Sequence, residues 1–183
     1  MGTHALTTGS RPTLAQRLRQ HRGSPRGGNH RGSIFRLLIG QATLASAPGL
    51  VCPSWGIKAQ SREAATALAT TRDQINEWEK AVEIEVSQLL SRMRIVVLGC
   101  EDEPGPDSLR GYVERNSIAL LSAAHRAGLD RTSSEWLGQH SNRSLVVSSG
   151  LWNQRHTTET ADVNFLERFQ RIVQFGVRID VVP

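Results

Sequence analysis

Three side chains far apart in this chain are of the types that phosphoryl chemistry uses. Arg17 and His21 lie in T-L-A-Q-R-L-R-Q-H-R-G, Thr13 to Gly23. Glu114 is the single carboxylate of G-Y-V-E-R-N-S-I-A-L-L-S, Gly111 to Ser122. Cutting a phosphodiester requires charge to be neutralised on the non-bridging oxygens, and an arginine fork does this bidentately. A hard divalent ion such as Mg²⁺ or Mn²⁺ takes oxygen ligands. It often needs only one or two carboxylates, completing its shell with water and phosphate. A lone glutamate is therefore enough, and the ion would polarise the phosphate and lower the pKa of its bound water. A histidine can pass a proton or bond the phosphate. Arg17, His21 and Glu114 are thus the catalytic candidates, with Glu114 also the metal ligand. Each has a plainer reading. Arg17 suits a surface helix charge, His21 a helix C-terminal cation favoured by the dipole, and Glu114, beside Arg115, an ordinary surface acid.

The elements that carry them can be read from capping and periodicity. A helix is expected from Pro12 to Arg22, capped by Ser10 or Thr13 and ended by Gly23. Arg17 and His21 are four apart and share one stripe of it. A Gly/Arg/His loop follows, Gly23 to Gly32, whose exposed amides could meet phosphates, though it is no phosphate-loop signature. Ile34 to Ala45 reads as helix. Gln60 to Arg92 reads as a long helical stretch, broken at most once, with Leu68, Ile75, Trp78, Val82, Val86 and Leu89 at helical spacing. Glu79, Glu83 and Glu85 on it are expected to form a solvated face. M-R-I-V-V-L-G-C, Met93 to Cys100, is the clearest strand. It leads through an acidic turn into the Glu114 helix, capped by Asp107 or Ser108 and ending before Gly128. A weak strand is expected at Leu145 to Ser148, a helix at Ala161 to Phe175, and a terminal strand at Val177 to Val182. Met1 to Leu6 could form a further strand, pairing with Met93 to Cys100. The fold class expected is α/β (α+β), with a small central mixed or antiparallel sheet flanked by helices.

Charge is unevenly spread over the 183 residues, whose net value is +5. All 17 acidic residues lie at or after Glu63, whereas nine of the 22 Lys and Arg precede it. An acid-free, basic third points to a polyanionic partner, nucleic acid first, with DNA ahead of RNA. Arg19, Arg22, His30, Arg31 and Arg36 are the candidates to bind it. The same composition suits a disordered tail or a mitochondrial presequence, but the capped helix and the Gly-His motif after it argue for folded structure. The two cysteines, Cys52 and Cys100, make neither a disulfide framework nor a zinc site, so a cytoplasmic, reduced setting is the default. No stretch approaches the ~20 apolar residues that span a bilayer, so no membrane partner is expected. His140 and His156 are not spaced as a zinc motif. Trp136 and Trp152 read as core anchors ahead of base-stacking platforms.

The segment G-T-H-A-L…R-L-R-Q-H-R-G, then a strand, then E-R-N-S-I-A-L-L-S, resembles the GIY-YIG nuclease superfamily. G-G-N-H-R-G-S-I-F-R (Gly27 to Arg36), D-E-P-G-P-D-S, W-L-G-Q-H-S (Trp136 to Ser141) and S-G-L-W-N (Ser149 to Asn153) resemble a bacterial group within it. The resemblance covers nearly the whole chain. It implies a nuclease that hydrolyses phosphodiester bonds in DNA or RNA with one divalent metal. Arg17 would match the family arginine, His21 the histidine and Glu114 the metal-holding glutamate. It also implies a single domain over residues 1–183 with a helical insertion at about 58–92. The family's first strand, with its water-activating tyrosine, has no counterpart here, and the only tyrosine is Tyr112. The chain therefore reads as N-terminally truncated, and His4 is a looser candidate for the water-activating position. Loss of activity, leaving a non-catalytic nucleic-acid-binding module, is the alternative that this departure favours. A protein-interaction domain built on the Gln60 to Arg92 helix is the third.

Overall fold

The computed structural model describes residues 2–3, 6–7, 9, 13–100, 102–175 and 179–182. The chain divides into two compact units. One comprises Met1–Leu14, Met93–Ser133 and Ser148–Pro183, the other Ala15–Arg92 and Ser134–Val147.

The second unit is built from helices. Helix α1 spans Leu14–Arg22, α2 Ile34–Ser46, α3 Ser61–Ala67 and α4 Arg72–Ser91. Each begins or ends where the sequence supplies the chemistry for it. Gly23 takes φ +69° after α1, and its N–H bonds the Arg19 carbonyl at 3.0 Å. Ser33 caps α2 and Thr71 caps α4, each side-chain oxygen accepting an N–H three residues on. The long helical stretch breaks at 68–71, between α3 and α4. Helix α2 is apolar on the side facing α4 and the 3₁₀ turn Leu137–His140. There Leu38, Ile39 and Ala42 are buried, as are Val82, Val86 and Leu90 of α4. Gly40 makes room for Trp55. A Cβ on it would lie 2.0 Å from the indole Cζ2, and the indole N–H donates to the Leu37 carbonyl at 3.1 Å. Ala64, Ala65 and Ile75 form a satellite cluster with Ile57, Leu68 and Trp78.

The first unit holds β1, Ile95–Leu98, and β2, Ile179–Val182, in an antiparallel ribbon with Ile95 opposite Val182 and Leu98 opposite Ile179. Helix α5 spans Leu109–Arg126 and α7 Phe165–Phe175. Ser108 caps α5, and Asp102 in the acidic turn accepts the Leu109 N–H at 2.6 Å, so the turn fixes where the helix starts. Phe165 of α7 is buried against Tyr112, with ring centroids 5.9 Å apart. Tyr112 donates its hydroxyl to Asp162 at 2.9 Å and lies beneath the Arg168 guanidinium, 4.3 Å from its ring centre. Asn116 links the same two segments, donating to the Tyr112 carbonyl and accepting the Asp162 N–H at 2.7 Å.

The expected sheet flanked by helices is overturned, because the described chain is mostly helical and its only sheet is this two-stranded ribbon. Leu145 to Ser148 is not a strand. It lies in a sixth helix, α6, Ser144–Ser149, with Val146 buried. A run of two valines satisfied the β-propensity rule, but tertiary packing decides such short runs. Strand β1 pairs with β2; Gly2, Thr3 and Leu6 are in no strand, while Met1, His4 and Ala5 lie outside the described residues, as do Ser10 and Val177. The acid-free third is folded where described, since α1 and α2 pack within the second unit.

Candidate functional site

Helix α1 presents the first group of candidates. Arg17 bonds the Gln20 side-chain oxygen at 2.8 Å, and Arg19 and Arg22 are exposed. His21 is half-buried, its Nδ1 2.7 Å from the Ser33 hydroxyl and its ring edge-on to Phe35. Burial, then the charges of Arg17 and Arg36, hold its pKa below the ordinary value. His21 is therefore neutral at neutral pH. With Nδ1 engaged by Ser33, Nε2 is the nitrogen that would meet a phosphate.

The glycine-loop candidates sit differently. Arg36 is fully buried, with 0 % exposure. Its Nε donates to the Glu83 carboxylate at 3.0 Å, and Nη2 donates to the same carboxylate, to the Glu83 carbonyl and to Ser87. Its Nη1 donates to the carbonyls of His21 and Arg22 at 2.9 and 3.1 Å, placing a positive charge on the negative end of α1. His30 is also buried. Its N–H and Nδ1 both meet Glu83 Oε1, at 2.5 and 2.9 Å, and its ring stacks on Trp55 at 3.9 Å. The Gly56 N–H points at Nε2, 3.4 Å away, which places the ring proton on Nδ1. Burial works to raise the Glu83 pKa, but the bonds from His30 and Arg36 and the Arg36 charge outweigh it and leave it lowered. Arg31 pairs with Glu79 and reaches the carbonyls of Ser54 and Ile57.

Glu79 and Glu83 are thus not a solvated face. They are buried, and only Glu85 of the three is exposed. Their balance with Arg31 and Arg36 is what makes the Gly27–Gly28 pair necessary. A Cβ on Gly28 would lie 2.4 Å from the Arg36 guanidinium carbon, and one on Gly27, at φ +105°, 3.0 Å from the Glu83 Cβ. The sequence carried a signal for this. Glu79 and Glu83 fall in phase with Ile75, Val82, Val86 and Leu90, so an acid on that stripe had to be buried and paired.

In the first unit, Glu114 lies on α5, half-buried. Burial raises its pKa above the ordinary value, against the opposing effects of His156, an N–H from Thr3, and Arg155. Its anionic form is incompletely compensated by the protein, which is the condition under which a carboxylate gains from a cation. His156 adopts φ +63°, unusual for a residue with a Cβ, and its Nδ1 is 2.7 Å from Glu159. Arg155 and His156 were not singled out as partners of Glu114 from the sequence, although they follow S-G-L-W-N one residue on. Arg17 and His21 belong to one unit and Glu114 to the other. Among the described residues no three His, Cys, Asp or Glu side chains cluster as a metal cage. A cation held by Glu114 would complete its shell from water and phosphate. Trp136 and Trp152 are half-buried. No helix is long and apolar enough to cross a membrane among the described residues.

The chain matches the family model of the GIY-YIG domain over residues 1–177. That covers nearly all of it, and the protein belongs to the GIY-YIG family, whose members are nuclease-like. No curated protein and no solved structure matches the chain.

Proposed function

We propose that this protein hydrolyses phosphodiester bonds in nucleic acid, DNA ahead of RNA, with a divalent ion, Mg²⁺ or Mn²⁺, held by Glu114. The observation that carries the reading is the state of that carboxylate: half-buried on α5, raised in pKa by burial, and flanked by Arg155 and His156. When bound, the ion supplies polarisation of the phosphate and a more acidic water. Arg17 would neutralise the non-bridging oxygens. His21, kept neutral, would accept a proton or a phosphate bond through Nε2. Arg19 and Arg22, exposed on an acid-free helix, would hold the flanking backbone. His30 and Arg36 are assigned to support rather than to contact, because their side chains are committed to Glu83, Ser87 and the end of α1, while Arg31 is paired with Glu79.

The test is ion-dependent cleavage of supercoiled plasmid and of a structured RNA. Glu114→Ala should lower the rate more than about a hundredfold, the scale of a lost charged group in such reactions. A second reading, binding without cleavage, is favoured by the exposed Arg19 and Arg22, which need no metal to act. The third, docking through the long helix, loses its basis, since the apolar face of α4 is buried within its own unit.

A further inference from the structure

A cleft of about 460 Å³ opens in the second unit, between the glycine loop and the start and middle of α4. Its floor is the Arg31–Glu79 pair, whose side chains are 7 % and 9 % exposed. They meet end-on, Nη1 to Oε2, which leaves Arg31 Nε and Glu79 Oε1 buried with no partner. A buried, unpaired donor and acceptor at the base of one cleft each carry the desolvation cost of a lost hydrogen bond. The rim is of a different character. Arg26, Arg72 and Lys80 line it, all are exposed, and none forms an ion pair among the described residues. Arg72 is the first residue of α4, where the dipole disfavours a cation. Asn76 adds an amide that can both donate and accept.

We propose that this cleft binds a phosphomonoester of nucleotide size, its phosphate on the rim cations and a hydroxyl or amino donor on Glu79 Oε1. Three uncompensated cations select an anion, and the orphaned carboxylate oxygen selects a ligand that also carries a donor. The ester oxygen or a ring nitrogen would accept from Arg31 Nε. The volume lies within the range of small-molecule sites. The same chemistry is offered by a free nucleotide and by the phosphorylated end of a strand. The site stands on the second unit alone and does not depend on Glu114 or on cleavage.

Titration calorimetry on the full chain, without divalent ions, tests it. The probes are 5′-AMP, inorganic phosphate, and a short oligonucleotide with a 5′-phosphate or a 5′-hydroxyl. We expect 5′-AMP or the phosphorylated oligonucleotide to bind at least tenfold tighter than inorganic phosphate. Arg72→Ala and Lys80→Ala, both at exposed positions, should each weaken that binding about tenfold with the melting temperature unchanged. Competition by 5′-AMP with no preference for the phosphorylated oligonucleotide assigns the site to a free nucleotide. A preference for the 5′-phosphate over the 5′-hydroxyl assigns it to a strand end. No binding of any probe at millimolar concentration overturns the proposal. So does binding that Arg72→Ala and Lys80→Ala leave unchanged, or inorganic phosphate binding as tightly as both 5′-AMP and the phosphorylated oligonucleotide.

Discussion

Arg36 shows how far a residue's role depends on where its neighbours put it. In the sequence it is one of several arginines in a basic stretch. In the folded unit it joins α1, α2 and α4 through bonds to two α1 carbonyls, the Glu83 carboxylate and carbonyl, and Ser87. Removing one partner of such a buried pair leaves the other charge uncompensated, which costs about 3–5 kcal/mol. Glu83→Ala should therefore lose about that much in urea unfolding, whereas Glu85→Ala, two residues on and exposed, should change stability by less than about 0.5 kcal/mol. A sign for pH follows from the same residues. His21 and Glu83 both have folded pKa values below their ordinary 6.5 and 4.5, so at these two groups the unfolded chain binds more protons and their contribution to stability rises with pH. The His21 contribution is complete above about 6.5 and is lost as pH falls through its lowered value. That of Glu83 is complete above 4.5 and is lost further into acid. Glu114, with a raised pKa, acts in the opposite sense over the same range, so the check is the difference: going from pH 7.5 to 5, the wild-type chain should lose more unfolding free energy than His21→Gln.

The helices were legible because their signals are local. Gly23, and Ser108 as one of two candidates, were read from their types as helix ends; the Ser33 and Thr71 caps were not singled out, though α2, α4, α5 and α7 lie where periodicity puts them. What was not legible depends on contacts between elements. Leu145 to Ser148 has strand-forming valines yet forms α6, and the ribbon partner of β1 lies more than eighty residues away in the chain, a pairing that no local pattern encodes. The burial of Glu79 and Glu83 was encoded in the phase of the α4 stripe, but a run of acids on a polar-looking helix masks it. Close helix packing also leaves a mark at single positions. Gly40→Ala would drive a methyl into the Trp55 indole. Overpacking of this kind costs about 1–3 kcal/mol, and it should appear as a lower melting temperature with a changed tryptophan emission.

At the scale of the molecule, two features act together: membership of the GIY-YIG family and an acid-free basic third that is folded where described. Nucleic-acid binding by exposed arginines releases counterions, so affinity should fall linearly with the logarithm of salt concentration, by about 0.9 per phosphate contact on duplex DNA. Arg19→Ala and Arg22→Ala should each reduce that slope by about one, uniformly across sequences. Arg36 variants should act instead through stability. A slope unaffected by Arg19 and Arg22 would remove α1 from the interface. The candidate site was legible in part: the residue types of Arg17, His21 and Glu114 suggested phosphoryl chemistry. The surroundings of Glu114, with Arg155 and His156 some forty residues downstream, needed the fold.

In the proposed function, Glu114 is kept ionisable for a cation rather than for the fold. Its pKa is raised, so its ionised form is a cost to the folded state at neutral pH: the stabilising contribution exists below 4.5 and is lost as pH rises through the folded value. Glu114→Gln, assayed for Mn²⁺- or Mg²⁺-dependent cleavage of plasmid and for melting temperature side by side, tests this most directly. Cleavage should be lost, with the melting temperature unchanged or raised. Cleavage retained in Glu114→Gln, or a wild-type chain that binds nucleic acid but cuts neither substrate with either ion, would contradict it.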